Sequence, residues 1–342
     1  MRAFITGIAG PSLSDWERAF LRETDPWGFI LFRRNVTEPQ ALRGLVDELR
    51  TTLGRDAPVL IDQEGGRVQR LAPPHWPTYP PGAAYGAIYD HDRDAGLAAA
   101  RLGAHLIAAD LAALGIDVDC LPLADVPVSG SDPVVGDRAY GTEAAKVAAI
   151  AGAIAQGLAE GGVLPVLKHI PGHGRATADS HKKLPVVSTD RAVLETTDFA
   201  AFRPLAELPL AMTAHVVFTA IDPTAPATVS AIIVHEVIRN SIGFKGLLMS
   251  DDISMGALAG SVGERTRAAI AAGCDVVLHC NGEMAEMRAV AAEAPALAGE
   301  AKRRADAALA AKKPPSPIDI AAARSEFLQL MNSAWQPAQG FV

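Results

Sequence analysis

Aromatic residues make up only 5% of this 342-residue chain, and cysteines number three. No apolar run reaches the about 18 residues that a membrane-spanning helix needs. Each shortage excludes something. So few rings leave no stacking platform for nucleic-acid bases. Positive charge is also in deficit. With 31 Lys and Arg against 39 Asp and Glu the net charge is −8, so the basic face of a nucleic-acid binder is not expected. Met1-Arg2-Ala3-Phe4-Ile5-Thr6-Gly7 has no apolar stretch of signal-peptide length. Cys120, Cys274 and Cys280 are odd in number and fit no zinc-ribbon spacing; Cys120 and Cys274 lie in apolar runs and read as buried free thiols. The expectation is a soluble cytoplasmic protein that binds neither nucleic acid nor membrane, and is a monomer by default.

What the chain does have is apolar material, 49% of its residues, enough for one large core. Short apolar runs alternate with longer helical stretches. The runs predict strands at Phe4–Ile5, Gly28–Phe32, Val59–Ile61, Val118–Leu121, Val163–Leu167, Leu210–Thr213, Leu247–Ser250 and Val276–Leu278. Helices are expected at Ser14–Arg22, Gln40–Leu53, Ala95–Leu114, Ala144–Glu160, Asp198–Glu207, Ile232–Ser241, Val262–Ala272 and Met284–Ala292. Ser14 with Glu17 carries a capping-box pattern. Eight strand–helix units predict a closed (β/α)8 barrel, a fold of about 250 residues; a doubly wound open sheet is the competing α/β solution. The catalytic domain is expected over residues 1–313. The Pro/Ala-rich tail, 314–342, is expected to be helical from Ile320 to Asn332 and to pack on the barrel.

In such a barrel the groups that follow the strands share one rim, where active sites sit. Arg33-Arg34-Asn35 follows the second strand, Asp62 to Arg70 the third, and Asp125 and then Asp137-Arg138 the fourth. After the fifth comes Lys168-His169-Ile170-Pro171-Gly172-His173-Gly174, a loop by its Pro and Gly content, followed by Asp179-Ser180-His181. His215, Asp251-Asp252 and His279 to Asn281 follow the last three. Asp179 stands two residues before His181, a spacing at which a carboxylate orients an imidazole. Strand alternation puts only one of Asp251 and Asp252 on the rim, with Asp252 the better candidate for capping the turn near Met255; which one faces inward stays open. His173, between two glycines, reads as support for its loop. His169, His173, Asp179 and His181 include metal-ligand types, but their spacing fits no HExxH pattern and Lys168 repels a cation. Neither metal nor cofactor is expected.

At these residues the chain resembles the family-3 glycoside hydrolases, within them the short bacterial β-N-acetylglucosaminidases of cell-wall recycling. Five stretches carry the resemblance: Gly28 to Asn35, Asp62 to Arg70, Lys168 to Gly174, Ala178 to His181, and Ser250 to Met255. It implies that Asp251 is the nucleophile, His181 the general acid/base and Asp179 its partner. It also implies that Asp62, Arg70, Lys168 and His169 bind the sugar, with Arg138. The segment of Arg138, Gly136-Asp137-Arg138-Ala139-Tyr140, departs at two positions from the family's Gly-Glu-Arg-Ser-Tyr. Larger family members take a Glu acid from a second domain that this chain is too short to hold. The activity implied is retaining exo-hydrolysis of terminal β-1,4-linked GlcNAc from peptidoglycan fragments, GlcNAc-anhydro-MurNAc with or without peptide. Hydrolysis of another β-glycoside is the alternative.

Overall fold

The eight predicted strands are apolar on both faces because both faces are covered. The computed structural model describes residues Met1 to Asn332. In it β1 (Arg2–Thr6), β2 (Pro26–Leu31), β3 (Val59–Ile61), β4 (Val118–Asp119), β5 (Leu164–Ile170), β6 (Leu210–Thr213), β7 (Leu247–Asp252) and β8 (Val276–His279) pair in chain order, and β8 returns to β1. Every pairing around the ring is parallel. This is a closed (β/α)8 barrel with a C-terminal helix. Alternation along each strand separates two cores. Ile5, Ile30, Leu60, Val166, Met212 and Met249 fill the barrel interior. Their neighbours Phe4, Phe29, Ile61, Leu167, Ala211 and Leu248 face the surrounding helices.

Those helices are α1 (Asp15–Thr24), α2 (Pro39–Leu53), α3 (Gly82–His91), α4 (Arg93–Ala112), α5 (Ala144–Glu160), α6 (Arg191–Thr196), α7 (Asp198–Phe202), α8 (Val262–Ala272), α9 (Met284–Glu293), α10 (Gly299–Ala310) and α11 (Ile320–Asn332). The capping box at α1 forms as the sequence predicts: Ser14 Oγ accepts from the Glu17 amide and the Glu17 carboxylate accepts from the Ser14 amide. Small residues let α4 and α5 approach closely; a Cβ at Gly157 would lie 2.1 Å from the Arg101 carbonyl oxygen. By length and composition α4 is the one helix among the described residues that could cross a membrane, and half of its most apolar stretch is buried within this protein. Phe327 of α11 packs against Tyr79, Tyr85 and Gly103, which fixes the terminal helix to the barrel's flank.

Several elements differ from expectation, and α3 and α6, like α10, fall where no helix was expected. The helix expected over Asp198–Glu207 stops at Phe202 and continues as a 3-10 turn, Arg203–Leu205, because Pro204 has no N–H to donate and its ring blocks the preceding turn. The segment Ile233–Ser241 winds as a π-helix. The helix α10 was not expected at all. Its only buried residues are Ala305 and Ala308, so it has no stripe of large apolar side chains to detect. Both alanines join the interior core, closing the end of the barrel opposite the functional rim.

Two further differences bear on the site. Strands β5 and β7 run past their predicted ends and include Lys168, His169, Asp251 and Asp252. Their pairing with neighbours shifts register between Lys168 and Ile170, and between Met249 and Asp252. A bulge of this kind re-aims side chains, so consecutive residues border the same space.

Candidate active site

At the C-terminal rim lies a cavity of about 260 Å3. Seven of the eight residues singled out in the sequence line it: Asp62, Arg70, Arg138, Lys168, His169, His181 and Asp251. The eighth, Asp179, stands behind His181.

One wall is a network of charges. The chain leaves β3 through Asp62 and makes a hairpin, Gln63–Gly65 against Val68–Gln69. Its turn places Gly65 and Gly66 at φ of +94° and +55°, the left-handed region that favours glycine. Inside the hairpin Gln63 accepts from the Arg70 and Leu71 amides and donates to the Leu71 carbonyl. This return brings the Arg70 guanidinium back to Asp62, at 2.9 Å. The other Asp62 oxygen accepts from Lys168 Nζ at 3.0 Å. Glu64 accepts both arms of Arg138 at 2.8 Å and lies 2.7 Å from Lys168 Nζ. Burial pushes the Asp62 and Glu64 carboxyls up, but the adjoining cations outweigh it and hold both below the ordinary range. Lys168 is shifted the other way, its burial outweighed by Asp62 and Glu64. The wall is therefore ionised throughout: three cations and two anions.

A second set of contacts sets the imidazoles. Asp125 accepts from His169 Nδ1 at 2.7 Å and from the His173 amide at 2.6 Å. Burial raises this carboxyl, but His169 outweighs it and draws the value down to about 2. With Nδ1–H given to Asp125, His169 keeps Nε2 free. His173 is buried, its Nε2 lies 3.1 Å from Ser180 Oγ, and burial pushes it down to about 4. His215 is buried too and shifted down by that burial; its Nε2 donates to the Asp252 carbonyl at 3.0 Å while Nδ1 accepts from Thr228.

Both aspartates at the end of β7 border the cavity, which corrects the expectation that one would face away. The register shift accounts for this. Their bonding separates them. Asp252 is committed to the protein: its oxygens accept from the Ser254 amide at 3.0 Å, the Ser254 hydroxyl at 2.6 Å and the Cys280 amide at 3.2 Å. Asp251 accepts one bond, at 2.8 Å, from the next amide in the chain. Burial raises its pKa, but the His215 and His169 rings and that amide outweigh it, so Asp251 is an anion with a free oxygen. Across the cavity His181 is exposed, with 66% of its side chain open to solvent. Its Nδ1 and its amide both meet Asp179 Oδ1, at 2.9 and 3.0 Å, which leaves Nε2 as the available nitrogen. Among the described residues no three His, Cys, Asp or Glu side chains are grouped to hold a metal ion.

A family model, the glycosyl hydrolase family 3 N-terminal domain, matches residues 12–310. The chain belongs to glycosyl hydrolase family 3. It is 40% identical over 279 residues to a β-hexosaminidase of Alkalilimnicola ehrlichii, covering 80% of this chain and 79% of that one. It is 36% identical over 304 residues to one of Aromatoleum aromaticum, covering 88% and 85%. Among solved structures it is similar to native NagZ from Neisseria gonorrhoeae, at a TM-score of 0.81 and 32% identity, over 96% of this chain and 98% of that one. The same relative has been solved in complex with N-trifluoroacetyl-D-glucosamine. This family-3 protein is a glycoside hydrolase, a β-N-acetylhexosaminidase.

Glu64, Asp125 and His215 of this hexosaminidase were not assigned roles from sequence. Glu64 had a detectable signal: in extended chain it shares a face with Asp62, two residues earlier. Asp125 and His215 were visible as polar residues after strands, but their partners come from other strands. The Asp62 wall yields a direct expectation. Asp62→Ala leaves Arg70 without its carboxylate and Lys168 with Glu64 alone, so KM should rise and kcat fall together. A kcat/KM on p-nitrophenyl β-GlcNAc within twofold of wild type would remove Asp62 from the site.

Acid stability is expected to fall in two windows. An unfolded histidine takes up its proton near pH 6.5, whereas His173 in the fold resists until about 4. The unfolded state therefore binds more protons between those values, and stability declines as pH drops from 6.5 to 4, by at most roughly 3 kcal/mol for this group. Asp62, Glu64 and Asp125 have depressed values, so their contribution is complete above an unfolded carboxylate's pKa and is lost below about pH 4. Urea titrations at pH 7, 5.5 and 4.5 should show a shallower decline for His173→Phe than for wild type; identical slopes would contradict a neutral buried His173.

Proposed function

We propose that this chain is a retaining exo-β-N-acetylglucosaminidase that releases terminal β-1,4-linked GlcNAc from peptidoglycan fragments such as GlcNAc-anhydro-MurNAc. The observation that carries the reading is the pairing of one free, ionised carboxylate, Asp251, with an exposed imidazole whose other nitrogen is held by Asp179. Retaining glycosidases need a nucleophile and a group that first gives and then takes a proton. Asp251 attacks the anomeric carbon while His181 Nε2–H protonates the departing oxygen, and a glycosyl ester forms on Asp251. Neutral His181 then removes a proton from water, which attacks the anomeric carbon and frees Asp251. An imidazole with one nitrogen held by Asp179 and the other open can give a proton in the first step and take one in the second. Asp62, Arg70, Lys168, Arg138 and His169 supply acceptors and donors for the sugar hydroxyls. The cavity, about 260 Å3, is smaller than the about 300–1,000 Å3 of pockets for drug-sized ligands, which suits one terminal ring.

The test is proton NMR of early hydrolysis of GlcNAc-β-1,4-anhydro-MurNAc. The β-anomer of GlcNAc should appear first and the α-anomer later, by mutarotation. Initial α-GlcNAc means inversion and rules out the covalent route. No release from this disaccharide, with p-nitrophenyl β-GlcNAc still cleaved, rules out the peptidoglycan substrate alone.

A further inference from the structure

We propose that Ser180 and His173 form a latch that seats the Asp179–His181 pair over the cavity, making Ser180 a positioning residue for proton transfer. The inference rests on the reading of His181 as acid/base. Among the described residues the His181 side chain hydrogen-bonds only to Asp179, which belongs to the same loop. The pair therefore carries its own orientation but nothing that fixes its distance from Asp251. Three ties to the rest of the protein supply that. The Ser180 hydroxyl meets His173 Nε2 at 3.1 Å; the Ser180 carbonyl accepts from the Ala257 amide at 3.1 Å; the His181 carbonyl accepts from the Gly256 amide at 3.3 Å.

Both ends of this suspension are anchored. His173 is tied through its amide to Asp125. Residues 253–258 are tied to the end of β7, where Asp252 accepts from Ser254 and Met255. The approach at Gly256 is close: a Cβ there would lie 3.0 Å from the His181 carbonyl oxygen. The loop that holds the imidazole is thus clamped between the His173 turn and the strand that ends in the nucleophile.

Of these three ties only the Ser180–His173 one is made by side chains; the His173 ring also borders the cavity and lies 5.8 Å, centroid to centroid, from the His169 ring. His173 is buried, and among the described residues its Nδ1 has no hydrogen-bond partner and its side chain's one hydrogen bond is to Ser180. Keeping an imidazole in such a place costs desolvation that an apolar ring avoids. Burial keeps it neutral down to about pH 4, so the latch keeps one protonation state above that pH.

The experiment compares Ser180→Ala, His173→Phe, the double variant and His181→Ala on two donors, GlcNAc-anhydro-MurNAc and 2,4-dinitrophenyl β-GlcNAc. A phenolate as good as dinitrophenolate leaves without a proton; a sugar alcohol does not. If the latch positions His181, Ser180→Ala should lower kcat on the disaccharide at least about tenfold, a part of what general acid catalysis supplies. KM and the dinitrophenyl glycosylation burst should change less than twofold. The double variant should be no worse than the more impaired single one, because both remove the same contact, and Ser180→Thr should restore activity. Equal losses on both donors, additive losses in the double variant, or an unchanged disaccharide kcat would overturn the latch. His181→Ala is the control. If it shows the leaving-group dependence and Ser180→Ala does not, the latch alone fails; if it does not, the acid/base reading falls and the latch with it.

Discussion

Asp251→Asn is expected to reduce kcat by about four orders of magnitude, roughly 5 kcal/mol of barrier, because an amide cannot form the glycosyl ester. The fold should survive, since among the described residues Asp251 accepts a single local hydrogen bond and its second oxygen has no hydrogen-bond partner. Asp252→Asn should show the reverse emphasis. Its carboxylate holds the Ser254 amide, the Ser254 hydroxyl and the Cys280 amide. Replacing it should cost about 1–3 kcal/mol of stability with a smaller loss of rate. A 2-fluoro or 5-fluoro glycosyl donor, followed by peptide mass spectrometry, locates the ester. A label on Asp252 would sink the assignment of Asp251 as nucleophile.

The second large effect is at His181, and its size should depend on the substrate. His181→Ala should lower the rate on a disaccharide by about 10²–10⁴, the usual contribution of a positioned proton donor. Glycosylation by the dinitrophenyl donor should be nearly untouched. Deglycosylation also needs His181, now as a base, so the variant should accumulate glycosyl-enzyme and show a burst. Azide, a small anion that needs no deprotonation, should enter the vacated space and restore turnover. Asp179→Ala should give a milder form of the same pattern, because it removes the group that holds Nδ1 and leaves the ring. Equal slowing of both donors, with no burst and no azide rescue, would make His181 a binding residue and move the acid/base elsewhere on the rim.

Much of this was legible because barrels write themselves plainly into a chain. A strand buried on both faces is a short apolar run, and the polar residue after it lands on the rim whatever the intervening helix does. Glu64 shows where such reading weakens. It sits in the same motif as Asp62 and shares its face, yet its ionisation depends on Arg138, 74 residues away, and on Lys168 from another strand. Asp125 and the histidines of the β5 loop pose the same problem across the gap between β4 and β5. The helix α10 fails for a different reason: alanines seal the barrel without a periodic large apolar stripe.

The sequence by itself determined the strand–helix alternation of a parallel α/β fold and the set of titratable groups that follow its strands, because each follows from local periodicity and from chain order; closure into a barrel is seen in the structure. Only the tertiary structure decided which of two adjacent aspartates is free and which is spent on the backbone. It also decided that Lys168 and His169 border one cavity, and that the loop of His181 is held between His173 and the end of β7. The physical reason is common to all three. Bulges, hydrogen-bond partners and burial are set by residues tens of positions apart that meet only once the barrel has closed.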